Sequence, residues 1–107
     1  MNEKKVFIVE DDLTLATLIK KHLDAWGYKA FCAENFENIL SDFIKFEPDI
    51  VLLDIKLPHF NGYYWCNEIR KISNVPIVFI SSAADNMNII MAMNMEIGEH
   101  TSELQSP

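Results

Sequence analysis

Three glycines and four prolines are too few for a low-complexity linker anywhere in the 107 residues. Cysteine is nearly as scarce. Cys32 and Cys66 stand far apart in apolar surroundings and read as buried thiols, not as a disulfide or a metal pair. His22, His59 and His100 show no ligand spacing. Cations are outnumbered, Lys+Arg 9 against Asp+Glu 16, leaving a formal charge of −7. Direct nucleic-acid binding needs clustered cations to displace counterions, and a polybasic membrane contact needs them too, so neither is expected. No apolar run approaches the ~20 residues of a membrane span. The run after Met1-Asn2-Glu3-Lys4-Lys5 ends at Glu10, too soon for a secretory signal, and a cytoplasmic location is expected.

What remains suits a single globular domain, since 50% of the residues are hydrophobic and 23% charged. Three short runs rich in β-branched residues carry no polar alternation: Val6–Val9, Ile50–Leu53 and Ile77–Ile80. Such runs predict strands covered on both faces, as in a parallel sheet. Residues 28–33 alternate more and predict a strand nearer an edge.

Helical periods separate the strands. Leu15, Leu18, Ile19, His22, Leu23 and Trp26 recur at three- and four-residue steps, with Asp12 as N-cap and Gly27 as stop. Phe36, Ile39, Leu40, Phe43 and Ile44 repeat the pattern behind Asn35 as cap, and Pro48 closes the connection. A third helix is expected from Gly62 to Ile72 with Cys66, Ile69 and Ile72 inward. Pro76 opens the last strand, where proline does least harm. Trp26 and Trp65 read as packing groups. A Met-rich helix should follow from Asp85; Met87, Met91, Met93 and Met95 fit adaptable core filler, with a partner face as the alternative. The order β-α-β-α-β-α-β predicts an α/β, doubly wound parallel sheet with right-handed crossovers.

Sites in such sheets form beyond the carboxyl ends of the strands. Here the first strand runs into Glu10-Asp11-Asp12, the third into Asp54 and the fourth into Ser81-Ser82. Taken singly, each has a blander role: Asp54 as a cap or turn residue, Asp12 as a helix cap, Ser81 as a satisfied hydroxyl. Taken together they form an acidic rim of oxygen ligands. Gathered carboxylates resist ionisation unless a cation offsets them, and a small set of hard oxygens suits Mg²⁺. A carboxylate beside Mg²⁺ can act as a nucleophile toward a phosphoryl group.

Val9-Glu10-Asp11-Asp12, Leu53-Asp54-Ile55-Lys56-Leu57-Pro58, Asn61-Gly62 and Val75-Pro76-Ile77-Val78-Phe79-Ile80-Ser81 together resemble a bacterial response-regulator receiver domain, over about residues 4–95. Asn61-Gly62-Tyr63-Tyr64-Trp65-Cys66 and the Ser81-Ser82 pair resemble receivers of winged-helix regulators that answer bacitracin and cationic peptides. The resemblance implies a flavodoxin-like fold in which Asp54 accepts a phosphoryl group from a sensor histidine kinase. It further implies Mg²⁺ held by Glu10, Asp11, Asp54 and the Lys56 backbone carbonyl, with the Ser81 hydroxyl on the phosphate. The DNA-binding output domain would lie outside this chain.

The resemblance departs near Glu96. Receivers of this family continue into a fifth strand ending in Lys-Pro and then a fifth helix, whereas no lysine or arginine follows Lys71. Residues 1–95 therefore read as a truncated receiver lacking the fifth strand and helix, and 96–107 as an off-pattern tail. Without the lysine, phosphorylation of Asp54 should be weak, or should fall short of the usual conformational effect. An uncovered apolar patch and strand edge should favour a homodimer, swapped or non-native. The alternative function is a signalling-silent fragment that dimerises through that edge. An aspartyl phosphatase is disfavoured, because its second aspartate is replaced by Lys56. A flavin-binding protein lacks support, because no Ser/Thr/Gly-rich phosphate loop follows the first strand.

Overall fold

The computed structural model describes residues 3–80. In chain order these form β1 (Lys5–Val9), α1 (Leu13–Ala25), β2 (Lys29–Cys32), α2 (Ile39–Phe46), β3 (Ile50–Asp54), α3 (Gly62–Arg70) and β4 (Ile77–Ile80). Ser81, the Met-rich segment and the 96–107 tail all lie outside the described residues.

The continuous apolar runs become parallel strands in the order β2-β1-β3-β4, with β2 at an edge as its alternating sequence implies. A strand's period of two divides the core. Phe7 and Val9 of β1 face a cluster with Val51 and Leu53 of β3, Phe43 of α2, and Trp65, Cys66 and Ile69 of α3. Val6 and Ile8 point to the opposite face, where Ala16 of α1 and Ala30 of β2 meet them. Helices thus cover both faces, the doubly wound arrangement. Phe7 sits at the centre of the larger cluster, stacked with Phe31 (ring centroids 6.1 Å) and edge-on to Phe43 (6.0 Å).

Loops are tied where their backbone would otherwise lack partners. Asp49 exchanges two hydrogen bonds with Lys5, donating its N–H to the Lys5 carbonyl (2.7 Å) and accepting the Lys5 N–H on its carboxylate (2.8 Å). The Arg70 guanidinium donates to the Val75 carbonyl (2.7 Å), setting the approach to β4. Gly27 adopts φ +96° just past α1, the left-handed conformation that its lack of a Cβ makes accessible.

Several helix expectations need correction. α2 begins at Ile39, and Asn38, not Asn35, occupies the cap position. The Asn35 carboxamide accepts the Glu37 N–H (3.1 Å), while Asp42 reaches back to the Glu34 N–H (3.1 Å). These bonds stabilise a turn over residues 35–38 that competes with helix, and Phe36 packs on the core from that turn. α3 stops at Arg70 and leaves Ile72 exposed. Leu18 and Trp26 are also exposed, Trp26 at 72%, because the small Ala16 brings α1 onto the sheet along an Ala16–Ile19–Leu23 stripe. Trp26 is therefore not a core packing group; it stacks on His22 (6.3 Å). Trp65 is one, at 3% exposure.

Candidate functional site

Parallel pairing decides which strand ends meet. Val9 of β1 stands opposite Leu53 of β3, so Glu10 and Asp54, each one residue further on, emerge side by side. Asp11 follows into the loop. The carboxylates of Glu10, Asp11 and Asp54 each offer an oxygen within 4.8 Å of the others, and this is the one such acidic group among the described residues. Glu10 and Asp54 are buried, while Asp11 is exposed and opens the cluster to solvent.

Asp12 is set apart from this cluster by its capping role. Its Oδ1 accepts the N–H groups of Thr14 (3.0 Å) and Leu15 (3.2 Å), and its own N–H donates to Glu10 Oε2 (3.0 Å). The cap of α1 therefore also orients Glu10. Sequence reasoning found the cap but not this second contact, which couples residues two apart across a strand end.

Burial weakens the preference of Glu10 and Asp54 for the charged form. Desolvation pushes Glu10 up to about 7; the Asp12 N–H opposes this, and the neighbouring Asp54 and Asp11 charges reinforce it. Burial raises Asp54 above the ordinary carboxylate range too. The nearby Glu10 carboxyl and the Lys56 and Ile55 N–H groups act against it, though none closes a hydrogen bond. Glu10 Oε1 and both Asp54 oxygens are buried without a partner. Unpaired buried carboxylate oxygens are costly. A divalent cation would supply the missing partner to all three, and the set contains only hard oxygen donors. The residues present thus fit Mg²⁺, with room on the Asp11 side for waters or phosphoryl oxygens.

Lys56 is exposed two residues beyond Asp54, in the loop to α3. That loop is anchored where the Gly62 N–H donates to the Ile55 carbonyl (2.8 Å), and Asn61 caps α3 by accepting the Tyr64 N–H (2.9 Å). His59 adopts φ +69° in the same loop, with the Phe60 N–H bonded to the Pro58 carbonyl across it (2.8 Å). Ser81 would follow Ile80, which pairs with Asp54, but it lies outside the described residues.

Residues 6–101 match the response regulator receiver domain family, and the chain belongs to it. It is the receiver domain of a two-component response regulator, a signalling module and not a classical enzyme. The transcriptional regulatory protein YvcP of Bacillus subtilis is 47% identical over 89 residues, which is 83% of this chain and 38% of that protein. The chain spans about two fifths of the length of the curated relatives it matches. The N-terminal domain of the nisin resistance regulator NsrR, a lantibiotic response regulator, is similar at 45% identity and a TM-score of 0.76, covering 92% of this chain and 82% of that one. The BeF3-activated receiver domain of RstA from Klebsiella pneumoniae is 30% identical with a TM-score of 0.74, covering 84% of this chain and 79% of that one. These likenesses bear out the flavodoxin-like receiver fold and the kinship with regulators of the cationic-peptide response. Among the described residues, no helix is long and apolar enough to cross a membrane.

Proposed function

We propose that this receiver takes a phosphoryl group onto Asp54 from a phosphohistidine of a sensor histidine kinase. The transfer would control a DNA-binding output domain of the same regulator, in the cytoplasm. The observation that carries the reading is Asp54 itself, fully buried, with both carboxylate oxygens unpartnered and two further acids beside it. Nothing structural is gained by burying a second acid there, because neither oxygen caps a helix or bonds a loop.

Glu10, Asp11, Asp54 and the Lys56 backbone carbonyl would hold Mg²⁺. A bound Mg²⁺ would neutralise these carboxylates and the charge developing on the phosphoryl oxygens. Asp54 presents the nucleophilic oxygen: a P–O bond forms to it as the P–N bond breaks, and the electron pair returns to the imidazole. Glu10 is held in place by the Asp12 N–H. The Ser81 hydroxyl would donate to a phosphoryl oxygen. The likeness to a BeF3-activated receiver supports the same pocket as the phosphoryl site. A homodimer, swapped or non-native, belongs to this proposal, and light scattering at high concentration tests it.

The primary experiment is intact-protein mass after incubation with a small phosphoryl donor and Mg²⁺, with Asp54→Asn as control. A phosphoryl adduct lost in the variant is expected. Mg²⁺ binding without an adduct would favour the signalling-silent fragment. Absence of both would refute the reading.

A further inference from the structure

We propose that Gly62 is a positioning residue for the Asp54 pocket, acting by letting the first turn of α3 press directly on the backbone that carries Asp54 and Lys56. This rests on the metal-site reading above. Gly62 is buried and needs no left-handed backbone; among the described glycines only Gly27 has a positive φ. Its requirement is space. A Cβ at residue 62 would overlap the Asp54 carbonyl oxygen and would stand 3.0 Å from Ile55 Cα and 3.1 Å from the Asp54 carbonyl carbon. All three are backbone atoms, which cannot rotate away as a flexible side chain would.

Neither neighbour can yield cheaply. β3 is hydrogen-bonded to β1 on one side and to β4 on the other. α3 is held by its buried Trp65, Cys66 and Ile69 and by the Asn61 cap. Displacement caused by a methyl group therefore falls on the segment between them, residues 55–61. That segment leads directly from Asp54 and contains the Lys56 carbonyl, and the Gly62 N–H bond to the Ile55 carbonyl fixes its register. The glycine thus holds the ligand-bearing backbone in place without touching the metal.

The test compares Mg²⁺ affinity in folded Gly62→Ala, Asn61→Ala and wild type by isothermal titration, alongside urea denaturation. Gly62→Ala should weaken Mg²⁺ binding by about 10- to 100-fold, the range for residues that orient metal ligands from behind. Asn61→Ala removes a cap from the same helix end without adding an atom near Asp54. It should lose stability while keeping the wild-type affinity, a split that a merely structural role for Gly62 would not produce. Wild-type affinity in folded Gly62→Ala would overturn the inference and leave the metal site standing. A wild type that binds no Mg²⁺ would overturn the site reading and the inference with it. Should Gly62→Ala not fold, the wild-type Gly62 amide decides by NMR. A resonance that tracks Mg²⁺ saturation supports the coupling, and one that stays still overturns it.

Discussion

Replacing Asp54 with asparagine should make the metal-free protein more stable, although it removes the proposed phosphoacceptor. Glu10 and Asp54 are buried side by side with three oxygens unpartnered, so at alkaline pH the fold confines two charges that the unfolded chain hydrates. The displacement of Glu10 from 4.5 to about 7 sets a ceiling of about 3–4 kcal/mol at ~1.4 kcal/mol per pKa unit. Burial is the largest cause and persists in the variant, so Asp54's effect on Glu10 is the smaller share. Removing that share, together with the confinement of Asp54's own charge, should stabilise the fold by about 1–2 kcal/mol. For a domain this small the midpoint should rise by roughly 5–15 °C. The assay is thermal unfolding by circular dichroism at pH 8 with a chelator present. Because the folded value of Glu10 lies above its ordinary one, its contribution is present below pH 4.5 and is lost as pH rises through about 7. At pH 5 Glu10 keeps its proton, and the gap between variant and wild type should narrow. Addition of Mg²⁺ should reverse the order at pH 8 by stabilising the wild type more. An Asp54→Asn protein no more stable than wild type at pH 8 without metal would refute the claim that these carboxylates are strained by proximity and burial.

Three further outcomes follow from other parts of the structure. Mg²⁺ affinity should rise by about tenfold between pH 6 and pH 8, because Glu10 must shed its proton near 7 to serve as a ligand; a flat titration profile across that window would contradict the burial of Glu10. Asp12→Ala should cost about 1 kcal/mol in urea denaturation through loss of the two bonds that cap α1, and the backbone N–H that holds Glu10 should survive it, so Mg²⁺ binding by the folded variant should change little. Gly27→Ala should cost roughly 1 kcal/mol purely through its φ of +96°, since a Cβ there meets nothing within 4 Å; an unchanged denaturation midpoint would mean that the turn relaxes out of the left-handed region.

Period and composition are local properties, and they are what the sequence by itself determined. Unbroken runs such as Val6–Val9 require cover on both faces, and that requirement made a parallel sheet legible before any tertiary contact was known. Glu10, Asp11 and Asp54 were legible as a group because strand ends in such a sheet share one rim. Asp12 as a cap was legible because the residue needs only its own helix to satisfy it. Where distant side chains compete with local signals, the sequence misled. Asn35 resembles a helix cap, but Asp42 and Glu37 draw it into a turn, and α2 starts later. Trp26 continues the helical period of α1, yet Ala16 brings that helix onto the sheet along a different stripe and leaves the indole in water.

Tertiary structure alone decided the electrostatics and tolerances of the site. The Val9–Leu53 register places two carboxylates together beneath the surface, and only burial converts that proximity into a raised Glu10 and unpartnered Asp54 oxygens. The packing of Gly62 against the Asp54 carbonyl likewise has no local signature, because it depends on where α3 lands after a loop has turned the chain back on β3. Proximity, dielectric environment and steric clearance belong to pairs of atoms brought together through space, and a linear pattern of residue types does not specify them.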